Sequence, residues 1–286
     1  MSRIIFGGSS CEVLAREVGS DLELGVLTIR KFPDGERYIR IESEVEGKEC
    51  IVIQSTNRPQ DENILELLGV LSTLRDLEAK RIIAVVPFYG YGRQDKRFTP
   101  GECVTAKTIA QLIQLYSDEF ITINIHKEHI LDFFEISSCN LDAGPLLGRY
   151  FKNYDMKDPL VIGPDKGALK LAKTVAKECE CAYDYLEKKR IGPGNVEMKP
   201  REVDVKGRDV VLVDDIIDSG GTMLEAMKKL KVAGASNILI GCIHPVLTGN
   251  IITRLYSYGA KKVVATNTIP TQISEISVAS LIRSSL

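Results

Sequence analysis

Residues 210–222 read Val-Val-Leu-Val-Asp-Asp-Ile-Ile-Asp-Ser-Gly-Gly-Thr, and this run limits the fold more than any other in the 286-residue chain. Four apolar residues suit a buried strand, and two adjacent carboxylates, Asp214 and Asp215, stand at its carboxyl end. Asp218 then precedes a Ser219-Gly220-Gly221-Thr222 turn, after which Met223, Leu224, Met227 and Leu230 mark an amphipathic helix. The turn sets backbone N–H groups and two hydroxyls at a helix N-terminus, where partial positive charge favours a phosphate. Its glycines let the backbone approach a ligand closely. Asp214 and Asp215 would repel that phosphate unless they had another task. Accepting hydrogen bonds from sugar hydroxyls, directly or through Mg2+, is such a task. The residues therefore ask for a sugar phosphate. A strand ending in two aspartates also fits a Walker B element, but the chain has no G-x-x-x-x-G-K-[ST] run. A helix cap followed by a tight turn is the simpler reading, yet two further acids and two glycines converge on the same turn.

Strands and helices alternate on both sides of this run. Arg3–Phe6, Glu49–Ile53, Arg81–Val86 and Glu119–Ile125 read as strands, with helices near Asn63–Leu77 and Val104–Tyr116. A second series holds strands at Leu160–Ile162, Ala182–Leu186, Asn237–Ile243 and Lys262–Thr266, with helices near Ala168–Glu178 and Asn250–Tyr258. The pattern predicts an α/β protein with mostly parallel sheets covered on both faces, binding its ligands at the carboxyl ends of strands. Gly144-Pro145 marks a seam, so domains are expected at 1–144 and 145–286.

Lys+Arg 37 against Asp+Glu 39 leaves a net charge of −2, with no basic field or interleaved aromatics to suggest nucleic acid. The seven cysteines form no C-x-x-C pair, and reduced thiols are expected. The N-terminus lacks a signal-peptide plan and no apolar stretch reaches spanning length, so a cytoplasmic protein with no membrane partner is expected.

Further polar patches follow strands. Lys188-Lys189-Arg190, with Gly192, Pro193, Gly194 and Pro200 after it, reads as a mobile basic loop leaving the strand Ala182–Leu186. A cationic loop beside a phosphate site can bring charge to a transition state. Phe32-Pro33-Asp34-Gly35-Glu36 fits a hairpin turn. In the segment 87–97, aromatic residues can stack on a purine while Arg93, Lys96 and Arg97 can meet phosphates. His126 follows an apolar strand at the place where a metal–phosphate would lie, whereas His129 and His244 read as structural. Gly163-Pro164-Asp165-Lys166-Gly167-Ala168 is a second strand-to-helix loop whose N–H groups can cradle a diphosphate.

Taken in this order, the motifs resemble the ribose-phosphate diphosphokinases (phosphoribosyl-diphosphate synthases), and the resemblance runs through nearly the whole chain. It implies two phosphoribosyltransferase-type domains, with ATP near their junction and ribose 5-phosphate in the second. Asp214 and Asp215 would take the ribose hydroxyls, and Asp218, Ser219, Gly220, Gly221 and Thr222 the 5-phosphate. Asp165, Lys166, Gly167 and Ala168 would form the diphosphate loop, and His126 and Asp165 would serve the Mg2+–phosphate. Arg93 and Gln94 would contact ATP, and Lys188 and Arg190 would be the catalytic cations. Phe32, Asp34 and Glu36 would recognise adenine from a neighbouring subunit, which implies a homodimer or larger homo-oligomer. The implied reaction moves the diphosphoryl group of Mg-ATP to the anomeric hydroxyl of ribose 5-phosphate, giving AMP. A nucleobase phosphoribosyltransferase would share the Asp214–Thr222 site without needing the Phe32–Glu36 or Arg93–Lys96 patches. A non-catalytic, synthase-associated regulatory subunit would keep the fold without needing the acids and loop cations.

Overall fold

The computed structural model of the protein describes residues 2–192, 195–200 and 204–286, excluding the side chains of 188–192 and 195–200. The chain divides into two compact units. The first comprises Met1–Leu141, Thr268–Pro270 and Ser277–Leu286, and the second Asp142–Asn267 and Thr271–Ile276.

In the first unit the chain runs β1 (Arg3–Gly7), α1 (Glu12–Val18), β2 (Glu23–Leu24), β3 (Leu27–Lys31), β4 (Arg37–Ile41) and β5 (Glu49–Ile53). It continues through α2 (Gln60–Asp76), β6 (Arg81–Val86), α3 (Thr105–Gln114), β7 (Glu119–Ile123) and β8 (Ser137–Leu141). The second unit holds α4 (Gly144–Lys152), β9 (Leu160–Gly163), α5 (Leu169–Cys179), β10 (Ala182–Gly192), β11 (Asn195–Pro200), β12 (Val210–Ile217) and α6 (Gly221–Val232). Then follow β13 (Ile238–Pro245), α7 (Ile251–Ser257), β14 (Ala260–Thr266) and β15 (Ser274–Ile276), before α8 (Ala279–Arg283) returns to the first unit. The expected boundary at 144 follows the chain, whereas the observed units do not follow it at the C-terminus. There Ile282 is fully buried, and Arg283 donates to the Glu17 carbonyl at 2.6 Å and to Ser20 Oγ at 2.7 Å.

Apolar runs make the sheets. Every residue of β5 and of β13 is buried, as are Leu160, Val161 and Ile162 in β9 and the four residues that open β12. A strand buried on both faces needs such a run, because helices cover a parallel sheet from each side. α3 shows the complementary pattern, burying Ala106, Ile109, Ala110 and Ile113 at helical spacing. Full burial of one Ile or Leu contributes about 1.5–3 kcal/mol.

The first sheet is ordered β2-β1-β5-β6-β7-β8, all parallel, and β3 and β4 form a separate antiparallel hairpin. The second is ordered β11-β10-β9-β12-β13-β14-β15, parallel except for the β10–β11 pair. In each sheet strand order reverses once, between β1 and β5 and between β9 and β12, and such a reversal opens a crevice beyond the strands' carboxyl ends. The expected basic loop is instead a hairpin: β10 continues to Gly192 and pairs with β11, from Leu186 opposite Pro200 to Gly192 opposite Asn195. The reason is visible in the chain, where Gly192-Pro193-Gly194 separates two runs that can each extend.

Candidate active site

The crevice of the second unit is built from two turns. After β9, Gly163 sits so close to the next turn that an added Cβ would lie 2.9 Å from Ala168 Cβ. Asp165 caps a 3-10 turn over Lys166–Ala168, its Oδ1 accepting from the Gly167 N–H at 2.8 Å. The sequence places Asp214 and Asp215 at the end of an apolar strand, but β12 runs on to Ile217, so the two acids lie inside it, both half-buried. The following turn closes with Gly220 as the N-cap of α6, at a φ of 69°. A Cβ there would meet Ile251 Cδ1 at 2.1 Å, so backbone and packing both require glycine. At Gly221 a Cβ would find nothing within 4 Å, and Ser219, Gly221 and Thr222 are exposed. The turn therefore presents an open helix N-terminus, the place where an anion binds well.

Electrostatics reinforces this reading. Burial pushes the Asp214 carboxyl well above the ordinary carboxylate range, and the neighbouring charges of Asp215 and, more weakly, Asp165 push it the same way. Three acids of one sign, two within β12 and one in the turn after β9, fit a cation or a set of hydroxyl donors. Among the described residues no cluster of three or more His, Cys, Asp or Glu forms a complete metal cage. Mg2+ does not need one, since it binds through one or two carboxylates together with water and substrate phosphates. The donor set fits that ion.

Thr248 belongs to this site although sequence reasoning missed it. Its Oγ1 donates to Asp218 Oδ1 at 2.8 Å, its N–H donates to the Asp218 carbonyl, and the Leu247 N–H donates to the Ile217 carbonyl. These bonds fasten the loop after β13 to the phosphate-type turn. The available signal was Thr248-Gly249-Asn250, another polar stretch shortly after a buried strand.

The remaining candidates fall elsewhere. His126 is half-buried after β7, and a Cβ on Gly92 would lie 3.5 Å from His126 Cβ, so the Arg93–Gln94 loop and His126 come together in the first unit. His129 Nε2 lies 3.0 Å from Oδ2 of the buried Asp95, a second tie between these loops. Arg93 and Gln94 are exposed, and Gln94 Oε1 accepts from Thr105 Oγ1 at 2.5 Å. Phe32, Asp34 and Glu36 form the β3–β4 turn, where the Phe32 N–H donates to the Glu36 carbonyl and Gly35 has a φ of 95°. Phe32 stays 43% exposed, with its ring edge-on to Tyr38. Asp165, the other expected metal ligand, lies in the second unit. Lys188 and Arg190 fall on β10, and their side chains lie outside the described residues.

Comparisons with known proteins agree with this architecture. Residues 137–280 match the phosphoribosyl transferase domain, and residues 3–116 match the N-terminal domain of ribose phosphate pyrophosphokinase. The ribose-phosphate pyrophosphokinase of Methanothermobacter thermautotrophicus is 45% identical over 282 residues, covering 98% of this chain and 98% of that protein. That of Methanobrevibacter smithii is 42% identical over 96% of this chain and 97% of its own length. The crystal structure of phosphoribosylpyrophosphate synthetase from Mycobacterium smegmatis superposes with a TM-score of 0.89 at 30% identity, covering 100% of this chain and 97% of that one. An α/β sheet with acid and glycine turns at its switch point is a phosphoribosyltransferase-type architecture. Matched in both parts and along nearly its whole length, the chain belongs to the ribose-phosphate pyrophosphokinase family and is an enzyme of that family. No helix of the described residues is long and apolar enough to cross a membrane.

Proposed function

We propose that the enzyme transfers the β,γ-diphosphoryl group of Mg-ATP to the anomeric hydroxyl of ribose 5-phosphate. The products are 5-phosphoribosyl 1-diphosphate and AMP. The observation that carries this reading is the second unit's switch point, where an open glycine turn for a phosphate adjoins the acids Asp165, Asp214 and Asp215. Asp214 and Asp215 take the ribose hydroxyls, and Asp218 through Thr222 hold the 5-phosphate on the N-terminus of α6. The anomeric oxygen is thereby fixed while it attacks the β-phosphorus. The bond from that phosphorus to the α,β-bridging oxygen breaks, AMP leaves, and the hydroxyl proton passes to solvent. Asp165 through Ala168 hold the diphosphate as it forms, and Lys188 and Arg190 meet charge that grows in the transition state. His126 in the first unit and Asp165 in the second would each serve phosphate-bound Mg2+, and such an ion would supply charge neutralisation. Arg93 and Gln94 contact ATP. Positioning and charge compensation suffice for phosphoryl-type transfer, so no protein nucleophile is required.

The Phe32–Glu36 turn recognises adenine of a neighbouring subunit's ATP in a homodimer or larger assembly. Its exposed ring and acceptor groups support this reading. Mixing a Lys188→Ala protein with an Asp34→Ala/Glu36→Ala protein under subunit exchange should restore part of the activity. No recovery, with exchange verified, would put the turn in its own subunit's site.

The reaction is tested by incubating the protein with Mg-ATP and ribose 5-phosphate and following phosphorus resonances. AMP and the diphosphate ester should rise together and only with a divalent ion. ADP as the first nucleotide product would replace diphosphoryl transfer with ordinary kinase chemistry, and no turnover would favour the regulatory-subunit reading.

A further inference from the structure

The first unit reverses strand order between β1 and β5, so it has a switch-point crevice of its own, and that crevice is filled by the chain itself. Glu66 of α2 and Gln54 at the end of β5 are both 0% exposed. Glu66 Oε1 accepts from the Ser9 N–H at 2.6 Å and from Gln54 Nε2 at 3.0 Å, and Oε2 accepts from Ser9 Oγ at 2.8 Å. Gly8, directly after β1, leaves the space used: a Cβ there would lie 2.3 Å from Gln54 Oε1 and 3.0 Å from Glu66 Oε1. A loop N–H and a hydroxyl thus hold a carboxylate of the chain itself in this crevice. The neutralising cation is Arg37, which donates to Glu66 Oε2 and whose side chain is only 12% exposed.

Arg37 belongs to β4, and the β3–β4 hairpin shares no ladder with either large sheet. Its attachment runs along one stripe of α2 at helical spacing. Lys31 and Arg37, opposite each other in the hairpin ladder, reach Glu62 Oε2 at 2.6 and 3.1 Å. Arg37 also reaches Glu66, and Ile39 packs where a Cβ on Gly69 would lie 2.6 Å from Ile39 Cδ1. The Phe32–Glu36 turn is the segment between the two clamped cations.

We propose that Glu66, acting as a built-in anion in the first unit's switch point, together with Glu62 positions the β3–β4 hairpin and so sets the nucleotide preference of its turn. The inference rests on the reading of the turn as the adenine-recognising element, and it makes Arg37, Glu62 and Glu66 positioning residues. Glu66→Gln keeps the shape but puts a donor among donors and leaves Arg37 with only the half-exposed Glu62 as counter-charge. It should raise KM for ATP by about 10-fold, leave kcat within about 3-fold and KM for ribose 5-phosphate unchanged, and narrow the preference for ATP over GTP. Amide hydrogen exchange on the substrate-free protein should quicken about 10-fold in β3 and β4 and stay unchanged in β9 and β12. Lys31→Ala, which breaks only a half-exposed ion pair, should raise KM for ATP by about 3-fold at low salt and less at high salt. It carries the test if Glu66→Gln fails to fold. Unchanged KM for ATP in a folded Glu66→Gln protein, or in Lys31→Ala at low salt where the former does not fold, would overturn the proposal. So would faster exchange spread evenly over both units. If the wild-type protein shows no diphosphoryl transfer, the reading of the reaction fails, while the exchange result still decides whether Glu66 fixes the hairpin.

Discussion

The two α/β units share one strand order and differ in what fills the crevice where that order reverses. In the first unit a buried carboxylate, Glu66, is satisfied by Ser9, Gln54 and Arg37 from its own chain. In the second unit the acids Asp214 and Asp215 are half-buried, Asp214 is held well above the ordinary carboxylate range, and the turn beyond them is open over Gly221. The edges differ as well, since β2 has two residues whereas β10 is extended by the antiparallel β11. Topology supplies a crevice in both cases. Charge balance bears on whether it serves the fold or a ligand: Glu66 faces the Arg37 guanidinium, whereas Asp214 faces the like charges of Asp215 and Asp165, which raise its proton affinity.

The largest effect expected from this asymmetry concerns the extended edge. If the hairpin of the second unit brings catalytic charge, Lys188→Ala and Arg190→Ala should each lower kcat by about 10³-fold or more with modest change in KM. Steady-state kinetics checks this. Variants with near-normal kcat would make β10–β11 a solvated edge, no more catalytic than β2.

Next in size is the second of the two β12 acids. Asp215→Asn removes charge at constant shape and should cost about 1.5–3 kcal/mol in ribose 5-phosphate binding, seen as a higher KM, with the fold intact by circular dichroism. Normal saturation would place the sugar elsewhere and weaken the contrast between the crevices.

Much of the second crevice was legible because its chemistry is contiguous. Strand, acids, glycines and hydroxyls lie within residues 210–222, so the segment is recognisable without knowing any neighbour. The strand nevertheless runs four residues beyond its apolar run, to Ile217, because pairing with β13 does not require apolar side chains. The first crevice was not legible. Glu66 looks like any carboxylate on a helix, and only the topology brings Ser9 and Arg37, 57 and 29 residues away in sequence, to the same oxygens. The β10–β11 hairpin was hidden for another reason, since a Lys-Lys-Arg run shows no apolar alternation and backbone pairing does not require any. α8 carries no local sign that it will return to the first unit, because that choice depends on Glu17 and Ser20, far back in the chain.

The paired glycines separate structural from ligand space within one turn. Gly220→Ala meets both a positive φ and Ile251, and should cost about 1–3 kcal/mol of stability. Gly221→Ala has room for its methyl group and should stay within about 0.5 kcal/mol of wild type in stability. If the turn holds the phosphate as proposed, the variant's KM for ribose 5-phosphate should nevertheless rise, since the methyl would enter the phosphate's space. Thermal melts and substrate saturation on both variants give the two readouts. A Gly221→Ala enzyme that binds normally would mean the open space is not the phosphate's.

The smallest effect is the most direct comparison, because it removes one negative charge from each crevice. Burial and Asp215 raise the Asp214 carboxyl above its ordinary value of 3.8, so folding favours the protonated form. Its contribution to stability is therefore complete below that ordinary value and is lost as pH rises through the higher, folded-state value. Metal-free protein without substrate should accordingly lose some stability on that rise, and Asp214→Asn should lose less. Above the folded-state value, Asp214→Asn should be the more stable protein by about 0.5–2 kcal/mol, while ribose 5-phosphate binding suffers. Added Mg2+ should reduce the difference by binding the ionised carboxylates of the folded protein. Glu66→Gln should have the opposite sign and destabilise the protein, because the change removes the buried partner of Arg37 and leaves it only the half-exposed Glu62. Thermal unfolding of the three proteins over a series of pH values reads both signs at once. Two destabilised variants would make both acids ordinary supports of the fold and erase the distinction between a crevice filled from within and one kept for a ligand.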